Sequence, residues 1–129
     1  MDLDNPRTVM VLEPDVIVRA QISDFLRECG YRVIEGVDAV DVRAICEAGV
    51  SIDILLAEVH LTGASSGFEL AQELRQTRPE IAVILVSSIH NVVDKASDLC
   101  ERGPIRKPYR SDDILRRIQL LLERRRQMT

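Results

Sequence analysis

Short apolar runs alternate along the chain with longer segments in which apolar residues recur at helical spacing. Runs that are this short, this apolar and rich in β-branched residues are typical of strands buried on both faces of a parallel sheet. The pattern therefore predicts five strand–helix units in strict alternation. The predicted strands cover residues 8–12, 31–34, 52–58, 81–86 and 103–106.

Helix start signals lie where the alternation needs them. Asp38 can cap the second predicted helix, and Ser66 with Glu69 three residues later forms a capping box for the third. A fourth helix is predicted through residues 92–100, and Ser111 can cap the last one. Each of these predicted helices directly follows a predicted strand.

Strict alternation argues for a parallel sheet with right-handed crossovers. The predicted fold is α/β: a flavodoxin-like, doubly wound, five-stranded parallel sheet of strand order 2-1-3-4-5, with helices on both faces. The 129 residues form one predicted domain, with tails at about residues 1–7 and about residues 124–129. That length is enough to bury a substantial core.

Composition indicates a cytoplasmic protein. No apolar run approaches the roughly 20 residues that a membrane span needs, and the acidic N-terminus lacks a hydrophobic signal region. The three cysteines are far apart and odd in number, which favours reduced thiols over a disulfide framework. We therefore expect no membrane partner and no exported form.

The net charge of −4 is unevenly distributed. Residues 1–101 carry 8 basic and 18 acidic side chains, a net charge of −10, whereas residues 102–129 carry 9 basic and 3 acidic, a net charge of +6. A basic end can bind nucleic acid, but no aromatic residues interleave these arginines as stacking sites would require. A solvated helix end that complements the helix dipole is favoured, and nucleic acid is not an expected partner.

Polar residues follow four of the predicted strands. In a doubly wound sheet the ligand crevice lies beyond the carboxyl ends of the strands, so residues that end strands one, three, four and five gather at one edge. Glu58 ends the apolar run that forms the central strand. The residues expected at this edge are Glu13, Asp15, Glu58, Ser87 and Lys107.

Four segments together resemble a known family. They are Val9-Met-Val-Leu-Glu13, Leu55-Leu-Ala-Glu-Val-His-Leu61 with Gly67 after the loop, Ile84-Leu-Val-Ser87, and Ile105-Arg-Lys-Pro-Tyr109. In order and separation they resemble a bacterial response-regulator receiver domain over essentially the full chain. In that family, acids after the first strand hold Mg²⁺, and an aspartate ending the third strand accepts a phosphoryl group from a histidine kinase.

The resemblance assigns a role to individual residues. Glu13 matches the first metal-binding acid, Ser87 the hydroxyl that contacts the phosphate, and Lys107 the amine that does so. Glu58 stands at the phospho-acceptor position. A cis peptide bond is expected before Pro108, as is usual in the family.

The chain departs from the family at the residues of the chemistry. Pro14 replaces the second acid, Glu58 replaces the acceptor aspartate, and Pro104 occupies the position of the aromatic switch. The extra methylene of Glu58 moves its carboxylate by roughly 1.5 Å, the length of one C–C bond. Asp15 could replace the missing acid but is expected to cap a helix. We expect weak or absent Mg²⁺ binding, no metal site and no other cofactor.

These departures favour a pseudo-receiver, a non-enzymatic domain that acts by protein–protein interaction. The predicted partners are a histidine kinase, an output protein or a second copy bound through the fourth and fifth predicted helices. At the substituted site, Glu58 either pairs with Lys107 in place of a phosphoryl group or belongs to a solvated polar cluster. Two alternatives stay open: a weakly or atypically phosphorylated receiver, and a small phosphatase-like hydrolase whose Glu13-Pro14-Asp15 faintly resembles an Asp-x-Asp nucleophile motif.

Overall fold

A five-stranded, fully parallel sheet forms the centre of the computed structural model, which describes residues 5–61, 63, 65–87 and 104–127. The strand order is β2-β1-β3-β4-β5, so the predicted fold class is confirmed. The strands are β1 (Thr8–Leu12), β2 (Arg32–Gly36), β3 (Ile54–Glu58), β4 (Ala82–Ser87) and β5 (Ile105–Arg106).

Three of the four described helices begin at the caps that their sequences supply. The side chains of Asp15, Asp38 and Ser66 each accept backbone hydrogen bonds from the first turn that follows. The helix predicted through residues 92–100 lies outside the described residues. The described helices are α1 (Val16–Glu28), α2 (Ala39–Glu47), α3 (Gly67–Thr77) and α4 (Ser111–Gln127).

Helices cover both faces of the sheet because successive side chains of a strand point to opposite sides. In β1, Val9 and Val11 face α1 and α4, whereas Met10 and Leu12 face α2 and α3. All four side chains are at most 1% exposed. Burying a side chain of this size stabilises the folded chain by about 1.5–3 kcal/mol. The strand therefore contributes to the packing on both faces of the sheet.

Four predicted strands differ from the observed ones by one or two residues at one or both ends, and the last helix extends further than predicted. The third strand, for example, begins at Ile54 instead of residue 52, directly after Asp53, whose carboxylate accepts a hydrogen bond from the Thr8 backbone (2.8 Å). The predicted C-terminal tail from about residue 124 is helical as far as Gln127. Arg125 Nη1 donates to the carbonyl of Pro79 (3.0 Å), which holds this last turn against the domain. None of the described helices combines the length and apolar character that crossing a bilayer requires.

Candidate functional site

Four strand ends bring the predicted site residues to one edge of the sheet. Glu13 follows β1, Glu58 ends β3, Ser87 ends β4 and Lys107 follows β5. Strand register fixes their neighbours: Glu58 lies opposite Val86, and the Lys107 backbone N–H donates to the Ser87 carbonyl (3.0 Å). Residues far apart in sequence therefore share one small pocket.

Lys107 lies between two buried carboxylates. Its Nζ donates a hydrogen bond to Glu13 Oε1 and forms an ion pair with Glu58 Oε1 at 3.3 Å. The side chains of Glu13 and Glu58 are 6% and 9% exposed, and that of Lys107 is 18% exposed. One cation thus serves two carboxylates, and the low exposure means that loss of the cation would leave two buried charges uncompensated.

The second oxygen of each carboxylate is also bound. Glu13 Oε2 accepts from the Asp15 backbone N–H (3.0 Å), and Glu58 Oε2 accepts from the Val59 backbone N–H (2.8 Å). Arg19 Nη1 donates to the Glu13 carbonyl (2.7 Å) and holds the loop after β1. These hydrogen bonds matter because a buried oxygen without a donor would lower the stability of the folded chain.

Asp15 lies outside this buried pair. Its Oδ1 accepts from the backbone N–H groups of Ile17 (2.9 Å) and Val18 (3.1 Å), so it is the N-cap of α1. The residue is exposed, whereas Glu13 is 5% exposed. The predicted acidic cluster is therefore divided: Glu13 enters the pocket, and Asp15 stays at its rim. Neighbouring Pro14 is half-buried and has no side-chain oxygen.

The start of α3 presses against the end of β3. A Cβ added at Gly67 would lie 2.5 Å from the Glu58 carbonyl oxygen and 2.8 Å from the Val59 Cα. The Gly67 backbone N–H donates to the Val59 carbonyl (2.8 Å), and this bond holds the start of α3 against the end of β3. Only glycine lets the helix come this near to the strand that carries Glu58. The sequence pattern included Gly67 without indicating this contact.

Arg43 ties α2 to α3 and to the loop beside the pocket. Its guanidinium binds both carboxylate oxygens of Glu73, at 2.8 and 3.1 Å, and its Nη2 also contacts Ser65 Oγ (3.1 Å). The hydrogen bond from Arg43 lowers the pKa of Glu73. Nothing in the spacing of these residues indicated the contact, because it joins two helices that only the tertiary fold makes adjacent.

Tyr109 completes the pocket after the Lys107–Pro108 peptide bond, which is cis. Burial is the main cause that raises the pKa of Tyr109 to about 12, and the negative charges of Glu13 and Glu58 contribute smaller parts of the same shift. The phenol thus keeps its proton to higher pH than an ordinary tyrosine does. Sequence reasoning placed Tyr109 in a turn and missed this proximity. Pro104, at the switch position, is half-buried immediately before β5.

Comparison with known proteins agrees with this geometry. The chain is 26% identical to the transcriptional regulatory protein PdtaR of Mycobacterium tuberculosis, over 96% of this chain and 60% of that protein. It is 27% identical to the transcriptional regulatory protein AruR of Pseudomonas aeruginosa, over 90% of this chain and 49% of that protein. The chain thus spans only part of the length of these relatives.

A solved structure shares the fold. The CheY-like response regulator receiver domain protein of Methanospirillum hungatei JF-1 superposes with a TM-score of 0.86 at 20% identity, covering 97% of this chain and 100% of that one. Residues 9–119 match the response regulator receiver domain family. That match includes the strand ends that build the pocket, and the chain therefore belongs to the response regulator receiver domains of two-component signalling.

Proposed function

We propose that this receiver domain is a pseudo-receiver that signals by binding protein partners without phosphorylation at Glu58. The observation that carries the proposal is the position of Lys107 between Glu13 and Glu58. The ammonium group of Lys107 occupies the space beside the acceptor position with a contact to each carboxylate. In this standing ion-pair network one ammonium group already binds both carboxylates, so it is engaged without a phosphoryl group.

Each oxygen of Glu58 already has a partner in the pocket. Oε1 faces Lys107 at 3.3 Å, and Oε2 accepts from the Val59 backbone at 2.8 Å. Phosphoryl transfer depends almost entirely on positioning and charge stabilisation. A displacement of about 1 Å can reduce the rate of such a positioned reaction about a hundredfold. The longer side chain of Glu58 therefore supports loss of acceptor activity.

The donor set does not fit a tightly held Mg²⁺ ion. Such an ion requires near-octahedral oxygen coordination, usually with one or two carboxylates. Glu13 and Glu58 already share the ammonium of Lys107, Pro14 offers no oxygen, and the Asp15 carboxylate caps α1. We therefore propose that metal binding is weak or absent and that signalling does not require it.

The proposed partners are proteins: a histidine kinase or an output protein in the cytoplasm, with no catalytic turnover by the domain itself. The relatives PdtaR and AruR are named as transcriptional regulatory proteins, and each extends beyond the region that this chain matches. A regulator of gene expression is therefore a proposed destination of the signal. A second copy bound through the helix predicted at residues 92–100 and α4 remains a further proposal.

A weakly phosphorylated receiver is the second candidate, since Ser87 and Lys107 are both retained at the pocket. Ser87 is 2% exposed and its carbonyl binds the Lys107 backbone. These are the residues that the family uses to contact the phosphate. The candidate requires Glu58, or another residue, to accept a phosphoryl group in spite of the ion pairs around it.

Intact-mass spectrometry after incubation with Mg²⁺ and acetyl phosphate separates the two candidates. We expect no phosphoryl adduct on the wild-type chain. The matched variant Glu58→Asp with Pro14→Asp restores the shorter acceptor and a second acid, and it is expected to gain an adduct. A stoichiometric adduct on the wild type that disappears in Glu58→Gln would refute the pseudo-receiver proposal. Sustained release of inorganic phosphate would instead indicate a hydrolase.

A further inference from the structure

Large apolar side chains are exposed where α1 and α2 begin. The loops before these helices lie side by side, because the Glu13 backbone N–H donates to the Gly36 carbonyl (3.1 Å). Exposed apolar side chains that are grouped in one region mark a surface for a partner, whereas a single one needs no explanation. Of the five large apolar side chains that are exposed in the described part of the chain, four belong here: Val16 (62%), Ile17 (67%), Val37 (39%) and Val40 (65%).

Negative charge accompanies these apolar side chains. Residues 13–18 and 36–41, which we call the docking edge, contain four carboxylates and no lysine or arginine. Asp15 is exposed, and Asp38 and Asp41 are half-buried. These three carboxylates accept from backbone N–H groups at the starts of α1 and α2, and no lysine or arginine in the described segments forms an ion pair with them. The edge therefore presents apolar side chains together with carboxylates that have no cation.

The basic side chains that follow the docking edge along the chain are engaged with other acids. In α1, Arg19 forms an ion pair with Glu35 at 3.4 Å. In α2, Arg43 forms one with Glu73 at 2.8 Å. In the pocket beside the edge, Lys107 already binds two carboxylates. The negative charge of the docking edge is therefore open to a partner, and the charge that complements it is positive.

We infer that the docking edge binds a segment of a partner protein in which apolar side chains lie between lysines or arginines. The apolar side chains of that segment cover the exposed valines and Ile17, and its cations face the three aspartates. Complementary charge of this kind speeds association and selects among partners, because like charges across an interface oppose binding. The inference rests on the proposed function, in which the domain acts by binding a protein.

Charge disfavours other classes of occupant. Nucleic acid and the anionic surface of a bilayer are both negative, so the carboxylates of the docking edge would repel them. An acidic protein segment is disfavoured for the same reason. A second copy of this chain is the other occupant to be tested, and self-association of the chain in the absence of any peptide would reveal it.

Binding of a synthetic peptide to the full 129-residue chain tests the inference. The probe is an amphipathic peptide of about 18 residues, with leucines on one face and lysines on the other, followed by fluorescence anisotropy. One control peptide has glutamate at every lysine, and a second has glutamine at every leucine. Each control is expected to bind at least about tenfold more weakly than the probe. High salt is expected to weaken binding of the probe, because screening reduces the attraction between its lysines and the carboxylates.

Variants of the docking edge show whether the peptide binds there. The apolar variant carries Ile17→Ser and Val40→Ser, and the charge variant carries Asp15→Asn and Asp38→Asn. Asparagine caps a helix as well as aspartate does, so the charge variant loses its negative charge and keeps both caps. Each variant is expected to weaken binding of the probe about tenfold. The matched control Val50→Ser replaces the one exposed valine of the described residues that lies outside the edge, and it is expected to leave binding unchanged.

Thermal unfolding of each variant establishes that the fold is retained before affinities are compared. No measurable binding of the basic peptide, or equal affinity for the wild type and both edge variants, would overturn the inference. Self-association of the chain alone that the apolar variant abolishes would also overturn it and would place a second copy at the edge. The intact-mass experiment on Glu58 is a separate readout. A phosphoryl adduct with peptide binding retained would refute the pseudo-receiver proposal alone, and loss of peptide binding without an adduct would refute only the docking edge.

Discussion

Lys107 pairs with both buried carboxylates of the pocket. Its replacement by methionine would leave Glu13 and Glu58 close together, buried and without a cation. Breaking a buried pair by removing one partner is strongly destabilising, so Lys107→Met is expected to lower the free energy of unfolding by roughly 3 kcal/mol. Urea denaturation monitored by circular dichroism measures the change.

The double variant Lys107→Met with Glu58→Gln provides the control. It removes one of the two unpaired charges, so it is expected to recover part of the lost stability. Equal stability of the wild type and Lys107→Met would show that solvent, and not Lys107, compensates these carboxylates.

The titration of Tyr109 is expected to lower the free energy of unfolding at high pH. Its pKa is raised from the ordinary 10.0 to about 12, so between these values the unfolded chain has lost a proton that the folded chain keeps. Stability then falls as pH rises, because the folded state binds more protons. The contribution is complete below pH 10 and is lost through pH 12.

Tyr109→Phe removes the titrating phenol, so the variant is expected to lose less stability over this interval than the wild type. Urea midpoints of both proteins, measured below pH 10 and between pH 10 and 12, give the comparison. Burial also raises the pKa of Tyr31, but Tyr31 is present in both proteins and its contribution cancels in the difference. Parallel pH profiles would count against the assigned shift.

At the scale of the element, the start of α3 is defined by two different kinds of signal. The capping box of Ser66 and Glu69 is local, and the sequence predicted it correctly. The close approach of Gly67 to β3 is not local, and only the packing of helix against strand makes it visible. Caps depend on neighbours in the chain, whereas close approaches depend on neighbours in space.

The variant Gly67→Ala tests the close approach of α3 to β3 and leaves the capping box of Ser66 and Glu69 in place. Alanine in place of glycine in a helix normally stabilises by about 0.5–1 kcal/mol. Here the new Cβ would meet backbone atoms at 2.5 and 2.8 Å, so the sign is expected to reverse to a loss of about 1–3 kcal/mol. Chemical denaturation measures the change, with the exposed α3 variant Gln76→Ala as control. Unchanged or increased stability in Gly67→Ala would contradict the packing at this position.

At the scale of the whole molecule, one sheet supplies two apolar faces and two polar edges. The faces hold the helices, and the clusters on both sides share the same strands. The carboxyl edge holds the Lys107 pocket, and the amino edge holds a cavity of about 280 Å³. The separation of these two edges follows directly from the parallel direction of the strands.

The sequence by itself determined the alternation of strands and helices, three helix caps and the edge at which polar residues gather. These features depend on periodicity, on residues within one turn of each other and on the rule that parallel strands end together. For that reason Glu13, Glu58, Ser87 and Lys107 could be assigned to one edge before any coordinates were known. Strand limits and the end of α4 were less accurate, since they depend on bonds such as that from Arg125 to Pro79.

Only the tertiary structure decided which of those edge residues touch. Lys107 contacts Glu13 across 94 residues of sequence as well as the expected Glu58. Asp15 was expected at the same edge, but it stays at the rim of the pocket, where it caps α1 as its position before the helix predicts. Contacts of this kind depend on strand register and side-chain packing over a few ångströms, which no local pattern in the sequence encodes.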